Sequence, residues 1–283
     1  AQQTANIDRE HLNTYKNVYD LMDTFHQFLK KVPFYGKAFL CSDDPYVRAL
    51  LPLTATPTAT YGSSIDADWS FKNATLETDH STYTLVHKQA DVGTVLVRMP
   101  GIHNVLNSIA ALAASLESGI SFKVASQALS TFGGVDRRFT FKGTFQGADI
   151  FDDYGHHPTE ILCTVAVARK RAAKKLIMVF QPHRYSRMST LWKDFIHMLA
   201  TVPVDQLIIT DLYEAHEQAI PGISSPELVA QIQKLNPQLR VSHIPLDADF
   251  SSLKASLSSC ATSGDLILLQ GAGNVNKIVP HLI

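Results

Sequence analysis

The second half of the chain alternates short apolar runs with stretches of helical period. The runs are 148–152, 175–181, 206–211, 240–245 and 265–270. Between them, residues 158–173, 190–200, 225–235, 249–260 and 274–282 read as amphipathic helices. Leu176-Ile-Met-Val-Phe180 and Leu266-Ile-Leu-Leu269 are apolar at every position, the pattern of strands buried on both faces of a parallel sheet. With a helix after each strand, right-handed crossovers build an open doubly wound sheet. Helix starts carry their expected signals: Pro158 with Glu160, Ser225 capping ahead of Pro226, and Ser189 capping a helix from Thr190.

The first half is mixed. A helix is expected over 16–31, with Tyr19, Met22, Phe25, Phe28 and Leu29 on its apolar face. A strand follows at 37–41, and Asp43-Asp44-Pro45 starts a short helix. Residues 61–97 read as several strands with turn signals at Gly62, Asn73 and Gly93. Helices are expected over 103–118 and 121–132, the last stopped by Gly133-Gly134. The expectation is an α/β protein of two domains: mixed α/β over 1–136, then a doubly wound, mainly parallel, Rossmann-like domain over 137–283. No internal repeat or low-complexity tract interrupts it.

Composition narrows the class. With 283 residues, 45% of them hydrophobic, the chain can fill two cores. Basic and acidic residues number 25 and 26, so no charge excess calls for a nucleic acid or a membrane surface. No apolar run approaches the roughly 18–20 residues that span a bilayer. The opening residues, from Ala1 to Asp8, lack the basic and apolar regions of a secretory leader. A start at Ala1 in place of Met is compatible with a fragment and with a processed terminus. Cys41, Cys163 and Cys260 are scattered and form no CxxC pair, which favours small thiols in a reducing, cytoplasmic setting.

In an open α/β sheet, ligands bind beyond the carboxyl ends of the strands. Those ends carry Asp152-Asp153-Tyr154-Gly155-His156-His157, Gln181-Pro182-His183-Arg184-Tyr185-Ser186-Arg187, Asp211-Leu212-Tyr213-Glu214-Ala215-His216-Glu217 and Gln270-Gly271-Ala272-Gly273-Asn274. The opposite loops, 171–174, 202–204 and 263–264, are plain. Arg184 and Arg187 offer forked donors to a carboxylate or phosphate; two ordinary arginines on a solvated loop are the bland alternative. His156 and His157 lack a third ligand at zinc spacing. One ring on a ligand with the other capping the helix is the milder reading. Gly271-Ala-Gly-Asn is a weak dinucleotide signal, and tight strand-to-helix packing explains it as well. Asn104 and Asn107 stand at i, i+3 on a helix start, where two carboxamides can read a planar base edge. A capping asparagine is the common case, as a hinge arginine is for Arg137-Arg138.

These segments resemble the Mur ligase family of peptidoglycan synthesis, in particular its L-alanine-adding branch. The resemblance runs in order through NIDREHLNTY, PFYG, CSDDP, PGIHNVLN, GGVDRRF, DDYGHHPTE, FQPHRYSR and LILLQGAGN. It implies a central ATPase domain followed by a Rossmann-like ligase domain. It implies ATP and Mg²⁺, with UDP-N-acetylmuramate and L-alanine as the other reactants. Residue by residue, His11 resembles a Mg²⁺ ligand, Asn104 and Asn107 the adenine-binding pair, and Arg138 the arginine that reaches the phosphates. Asp153 resembles the acid near the ribose. Tyr154, His156, Arg184 and Arg187 resemble residues around the amino acid and nascent product, and Arg138, His156, Arg184 and Arg187 carry the catalytic expectation. A family member adding a peptide or another amino acid, and a non-catalytic ligand-binding remnant, are the alternatives.

The chain departs from the family pattern in one large respect. No G-x-x-x-x-G-K-[ST] occurs, and Gly36-Lys37 is followed by Ala38. The resemblance therefore implies that the UDP-binding domain, the phosphate loop and a second metal-binding acid lie outside these residues. The missing half of the same enzyme is then an expected partner, and the chain alone is expected to be inactive.

Overall fold

The computed structural model describes residues 2–4, 6–8 and 14–283. The chain divides into two compact units, Ala1–Gly134 and Val135–Ile283.

In the first unit, β1 (Gln2–Thr4) precedes α1 (Val18–Leu29), β2 (Ala38–Cys41), α2 (Pro45–Leu50) and β3 (Thr58–Tyr61). A meander follows of β4 (Trp69–Leu76), β5 (Ser81–His87) and β6 (Ala90–Val97), then α3 (Ile102–Glu117) and α4 (Phe122–Thr131). The described strands form one sheet in sequential order, parallel from β1 to β4 and antiparallel from β4 to β6. Strand alternation sends Phe39 and Cys41 of β2 into a core with α3, and Ala38 and Leu40 into a second core with α1 and α2. Asn17 caps α1 through the Tyr19 and Asp20 N–H groups, and Asp44 caps α2 through that of Val47.

The second unit holds β7 (Thr140–Phe145), β8 (Ala148–Asp153), α5 (Pro158–Arg171), β9 (Leu176–Phe180), α6 (Tyr185–Thr190) and α7 (Trp192–Thr201). It continues with β10 (Gln206–Ile209), α8 (Ser225–Leu235), β11 (Val241–His243), α9 (Ser251–Cys260), β12 (Leu266–Gln270) and α10 (Val279–Leu282). The strand order is β11-β10-β9-β12-β8-β7, parallel except for the β7–β8 hairpin. Leu176, Met178 and Phe180 of β9 join a core with α5, α7 and α8, while Ile177 and Val179 join one with α9. Both faces are covered, which is why these strands read as unbroken apolar runs. The chain steps outward from β9 to β11, then returns to insert β12 between β9 and β8. In open α/β sheets such a reversal marks where ligands bind, which here is the carboxyl ends of β8, β12 and β9.

Several local expectations need correction. Asn73 and Gly93 are not turns: Asn73 sits in β4 at φ 53, where the β4–β5 register shifts, and Gly93 lies within β6 near a second shift. Both are bulges. Ser189 lies inside α6, and α7 starts after Leu191 without a side-chain cap. The cap of α8 is Ser224, one residue earlier than expected. The stretch 274–282 opens as a 3₁₀ turn before α10. Strands β1, β3 and β7 lie outside the runs singled out above.

Phe180 is fully buried and faces Phe195 across 5.9 Å. Phe180→Ala is expected to lower the unfolding free energy of the second unit by about 3–5 kcal/mol. Urea denaturation followed by circular dichroism measures it, and a loss under about 1 kcal/mol contradicts the packing described.

Candidate active site

The carboxyl edge of this sheet is built on buried polar groups. Asp153, at the end of β8, is 4% exposed. Its Oδ1 accepts from the Gly155 N–H at 2.8 Å, the Gln270 side-chain amide at 2.9 Å and the Thr164 hydroxyl at 3.1 Å. Oδ2 accepts from the Phe139 N–H at 2.9 Å. This carboxylate therefore ties β8, β12 and α5 together, and most of its accepting capacity is committed inside the protein. Gln270 also donates to the Gly155 carbonyl at 2.6 Å. Gln181 donates to Asn274 Oδ1 at 2.8 Å and accepts from the Val275 N–H at 2.9 Å. A side chain on Gly271, at φ +140, would meet the Gln181 carbonyl at 2.7 Å. The glycine turn is thus required by close backbone approach.

The adjacent arginines at the start of this unit have different fates. Arg137, in the left-handed region at φ 57, turns inward. Its Nε reaches Asp152 Oδ2 at 3.1 Å, and its Nη2 and Nη1 donate to the carbonyls of Gly271 and Gly273 at 2.6 and 3.4 Å. The guanidinium lies 5.0 Å from the Tyr154 ring centre. Burial pushes the Asp152 carboxyl up, and the Arg137 charge only partly offsets it. Arg138 remains half exposed, with Nη1 3.5 Å from Glu160 Oε1. Glu160 meanwhile accepts from the His156 and His157 N–H groups at 3.0 and 3.2 Å and completes a capping box with His157.

Loops from β8, β9 and β10 meet at one rim. The His156 Nδ1 lies 3.1 Å from the Tyr154 carbonyl, and its ring centre is 5.5 Å from that of His183. His183 stacks on Tyr213 at 5.4 Å and 8°. Arg187 Nη1 lies 3.1 Å from His183 Nδ1. A guanidinium can only donate, so Nδ1 accepts and the neutral ring carries its proton on Nε2. Burial, then the charges of Arg187, His156 and Arg184, hold the His183 pKa down at about 4, against a weaker opposing pull from Glu217. Arg184, at φ 69, reaches Glu217 Oε1 at 3.4 Å. Of the expected residues, Tyr154, His156, Arg184 and Arg187 are brought together with Asp153 close by.

In the first unit, Asn104 and Asn107 lie in the opening turns of α3. Asn104 is half-buried and donates to the Pro100 carbonyl at 2.8 Å, while Asn107 is exposed. The expected metal ligand His11 lies outside the described residues. Among the described residues, no group of three or more His, Cys, Asp or Glu is placed to hold a metal, and no helix is long and apolar enough to cross a membrane.

Sequence reasoning passed over Arg137, Asp152, Gln270, His183, Tyr213 and Glu217 as site residues. The available signal was position: except for Arg137, each lies at or just beyond the carboxyl end of a parallel strand.

Residues 137–273 match the Mur ligase, glutamate ligase domain, and residues 4–115 match the Mur ligase middle domain. The chain belongs to the Mur ligase family. It is 39% identical over 279 residues to the UDP-N-acetylmuramate–L-alanine ligase of Syntrophus aciditrophicus, covering 99% of this chain and 57% of that protein. The ligase of the same name from Syntrophotalea carbinolica is 40% identical over 276 residues, covering 97% and 58%. The chain thus spans under two thirds of the length of these curated relatives. Among solved structures, MurC of Thermotoga maritima aligns with a TM-score of 0.74 at 18% identity, and MurF of Acinetobacter baumannii with 0.78 at 16%; each covers 99% of this chain and 58% of the other. These two likenesses support the fold alone.

Two measurements check the site. Nitrogen-detected NMR of His183 should show an unprotonated Nδ1 at pH 6 and titration near pH 4; titration near 6.5 would refute the Arg187 contact. Between pH 4 and the ordinary value of about 6.5 the unfolded chain binds a proton that the folded one does not, so this group's contribution to stability is lost as pH falls through that window. Arg137→Ala strands a fully buried carboxylate and should cost about 3–5 kcal/mol in urea unfolding, whereas a change below about 1 kcal/mol would return Arg137 to an incidental contact.

Proposed function

We propose that this chain belongs to an ATP-dependent ligase that joins L-alanine to the carboxylate of UDP-N-acetylmuramate. The observation that carries the reading is the meeting of His156, His183, Arg184 and Arg187 on one rim. That this occurs in a chain 38–40% identical to ligases of that name supports the particular substrates.

In the proposed reaction, a carboxylate oxygen of UDP-N-acetylmuramate attacks the γ-phosphorus of ATP, releasing ADP and leaving an acyl phosphate. The amine of L-alanine adds to the acyl carbon, and the tetrahedral intermediate expels phosphate as the amide forms. Arg184 and Arg187 hold the amino acid's carboxylate through charge-assisted hydrogen bonds, with Tyr154 and His156 beside them. The same cationic surroundings disfavour an ammonium, which helps the amine reach its nucleophilic neutral form. Arg138 has guanidinium N–H groups left over from Glu160 for a phosphate. Asn104 keeps its amide oxygen and second N–H for an adenine edge, beside the exposed Asn107. Asp153 serves the ribose side chiefly through the loop it fixes. Mg²⁺ would offset phosphoryl charge; His11 is its proposed ligand.

The test uses the complete gene product with ATP and UDP-N-acetylmuramate, offered L-alanine, glycine, L-serine or a muropeptide-type tripeptide. L-Alanine should give the highest kcat/KM for ADP release. A preference for the tripeptide would move the protein to another branch of the family, and no release with any amine would favour a non-catalytic role. Arg184→Ala should lower kcat/KM for L-alanine at least about tenfold, about 1.4 kcal/mol in transition-state terms; near-normal turnover would make it a surface arginine.

A further inference from the structure

The loop that follows β10 is wound in an unusual way. Ala215 and His216 both adopt positive φ, at 50° and 67°, and the Glu217 N–H closes the turn onto the Glu214 carbonyl at 3.0 Å. Two consecutive non-glycine residues in that region cost energy. The result of the winding is the placement of one carboxylate. Glu217 Oε2 accepts the Ser186 N–H at 2.9 Å, and Oε1 accepts the Ser186 hydroxyl at 2.7 Å and lies 3.4 Å from Arg184 Nη1.

Each of these contacts completes something that the loop after β9 lacks. The helix starting at Tyr185 has no side-chain cap of its own, because Arg184 occupies the capping position. Glu217 supplies the missing acceptor from 31 residues away. Arg184 is itself held at φ 69, and its N–H donates to the Tyr213 carbonyl at 2.8 Å. The Tyr213 N–H in turn donates to the Pro182 carbonyl at 2.8 Å. The β10 loop thus grips the β9 loop through backbone, ring stack and carboxylate. Burial works against the charge on Glu217, but the Ser186 bonds and the Arg184 charge outweigh it and keep the carboxyl below its usual range. The long Arg184–Glu217 contact engages one nitrogen of the guanidinium and leaves its other donors to point elsewhere.

We propose that Glu217 is a positioning residue for the ligase reaction: it acts through Arg184, fixing the guanidinium so that its remaining donors face the carboxylate of the incoming amino acid. The inference rests on the functional reading above. A purely structural Glu217 would matter only for stability; a positioning Glu217 changes how well Arg184 binds substrate.

A double-mutant cycle in the complete enzyme separates the two. Glu217→Gln keeps size and an acceptor for Ser186 but loses the charge that aligns Arg184. It should raise KM for L-alanine about tenfold, leave KM for ATP within about twofold, and shift Tm by no more than a few degrees. Combined with Arg184→Ala, it should add less than about twofold to the single Arg184→Ala defect, since residues acting as a unit are non-additive. Should Glu217→Gln not accumulate as folded protein, Glu217→Asp, which shortens the reach but keeps the charge, is read by the same cycle. An unchanged KM for L-alanine, or effects that multiply, would overturn the proposal. If the unmutated enzyme does not use L-alanine at all, the functional reading fails first and takes this inference with it.

Discussion

A parallel sheet covered by helices on both faces leaves polar chemistry only two places to stand, its amino edge and its carboxyl edge. In the second unit β9 and β12 are buried at every position, so nothing ionisable can project from their faces without a partner. The two edges solve this differently. At the amino edge Asp205 and Asp265 accept the Leu176 and Lys175 N–H groups and close the strand starts. At the carboxyl edge Asp152, Asp153, Gln181 and Gln270 hold one another's loops and Arg137. The first arrangement finishes a structure; the second carries cationic and aromatic side chains above it. The Arg137–Asp152 pair is the hinge of that difference, because it anchors the glycine turn and the Tyr154 loop at once.

Much of this was legible in the sequence, for a physical reason. Double burial imposes unbroken apolar runs, and the parallel strands β8 to β12 of the second unit fall within two residues of where those runs lie. The run from Ala148 ends as β8, and 225–235 is α8 itself. What escaped detection was whatever depended on distant partners. Strand β7 contains Lys142 and a bulge at Gly143, which break the alternation that would announce it. Ser189 has the chemistry of a cap, yet α6 already occupies its position. The bulges at Asn73 and Gly93 carry turn residues without making turns.

The site divides along the same line. Tyr154, His156, Arg184 and Arg187 stand in the segments after β8 and β9 that the edge rule identifies, the last inside α6, and they do meet. Arg137 and Arg138 cannot be told apart by spacing; only the backbone turn at Arg137 decides which goes in. Glu217 stood in the segment after β10 that the edge rule marks, but its partners Ser186 and Arg184 lie 31 and 33 residues away, so no local spacing showed what it holds. Asp153 shows the converse case. A residue that resembled a ligand contact is largely occupied by four internal donors, the Gly155 N–H and the Gln270 amide among them.

Charge at the rim sets a condition on any amino-acid substrate. With His183 neutral, Arg184 and Arg187 contribute the fixed positive charge, and Glu217 offsets part of it from one side. Were His183 charged, three cations would crowd a few ångströms, and Arg187 could no longer donate to its Nδ1. The contact and the neutral ring are therefore one arrangement. On the ligase reading, this matters because an amino acid arrives as a zwitterion and must react as an amine. A rim that attracts the carboxylate while disfavouring the ammonium does both parts of that work with the same guanidinium groups. The neutral Nε2–H of His183 then adds a donor without adding a charge that would hold phosphate or product too tightly. On the same reading, Glu217 limits the excess further, and its proposed hold on Arg184 directs what remains toward the carboxylate rather than leaving it spread over a loop.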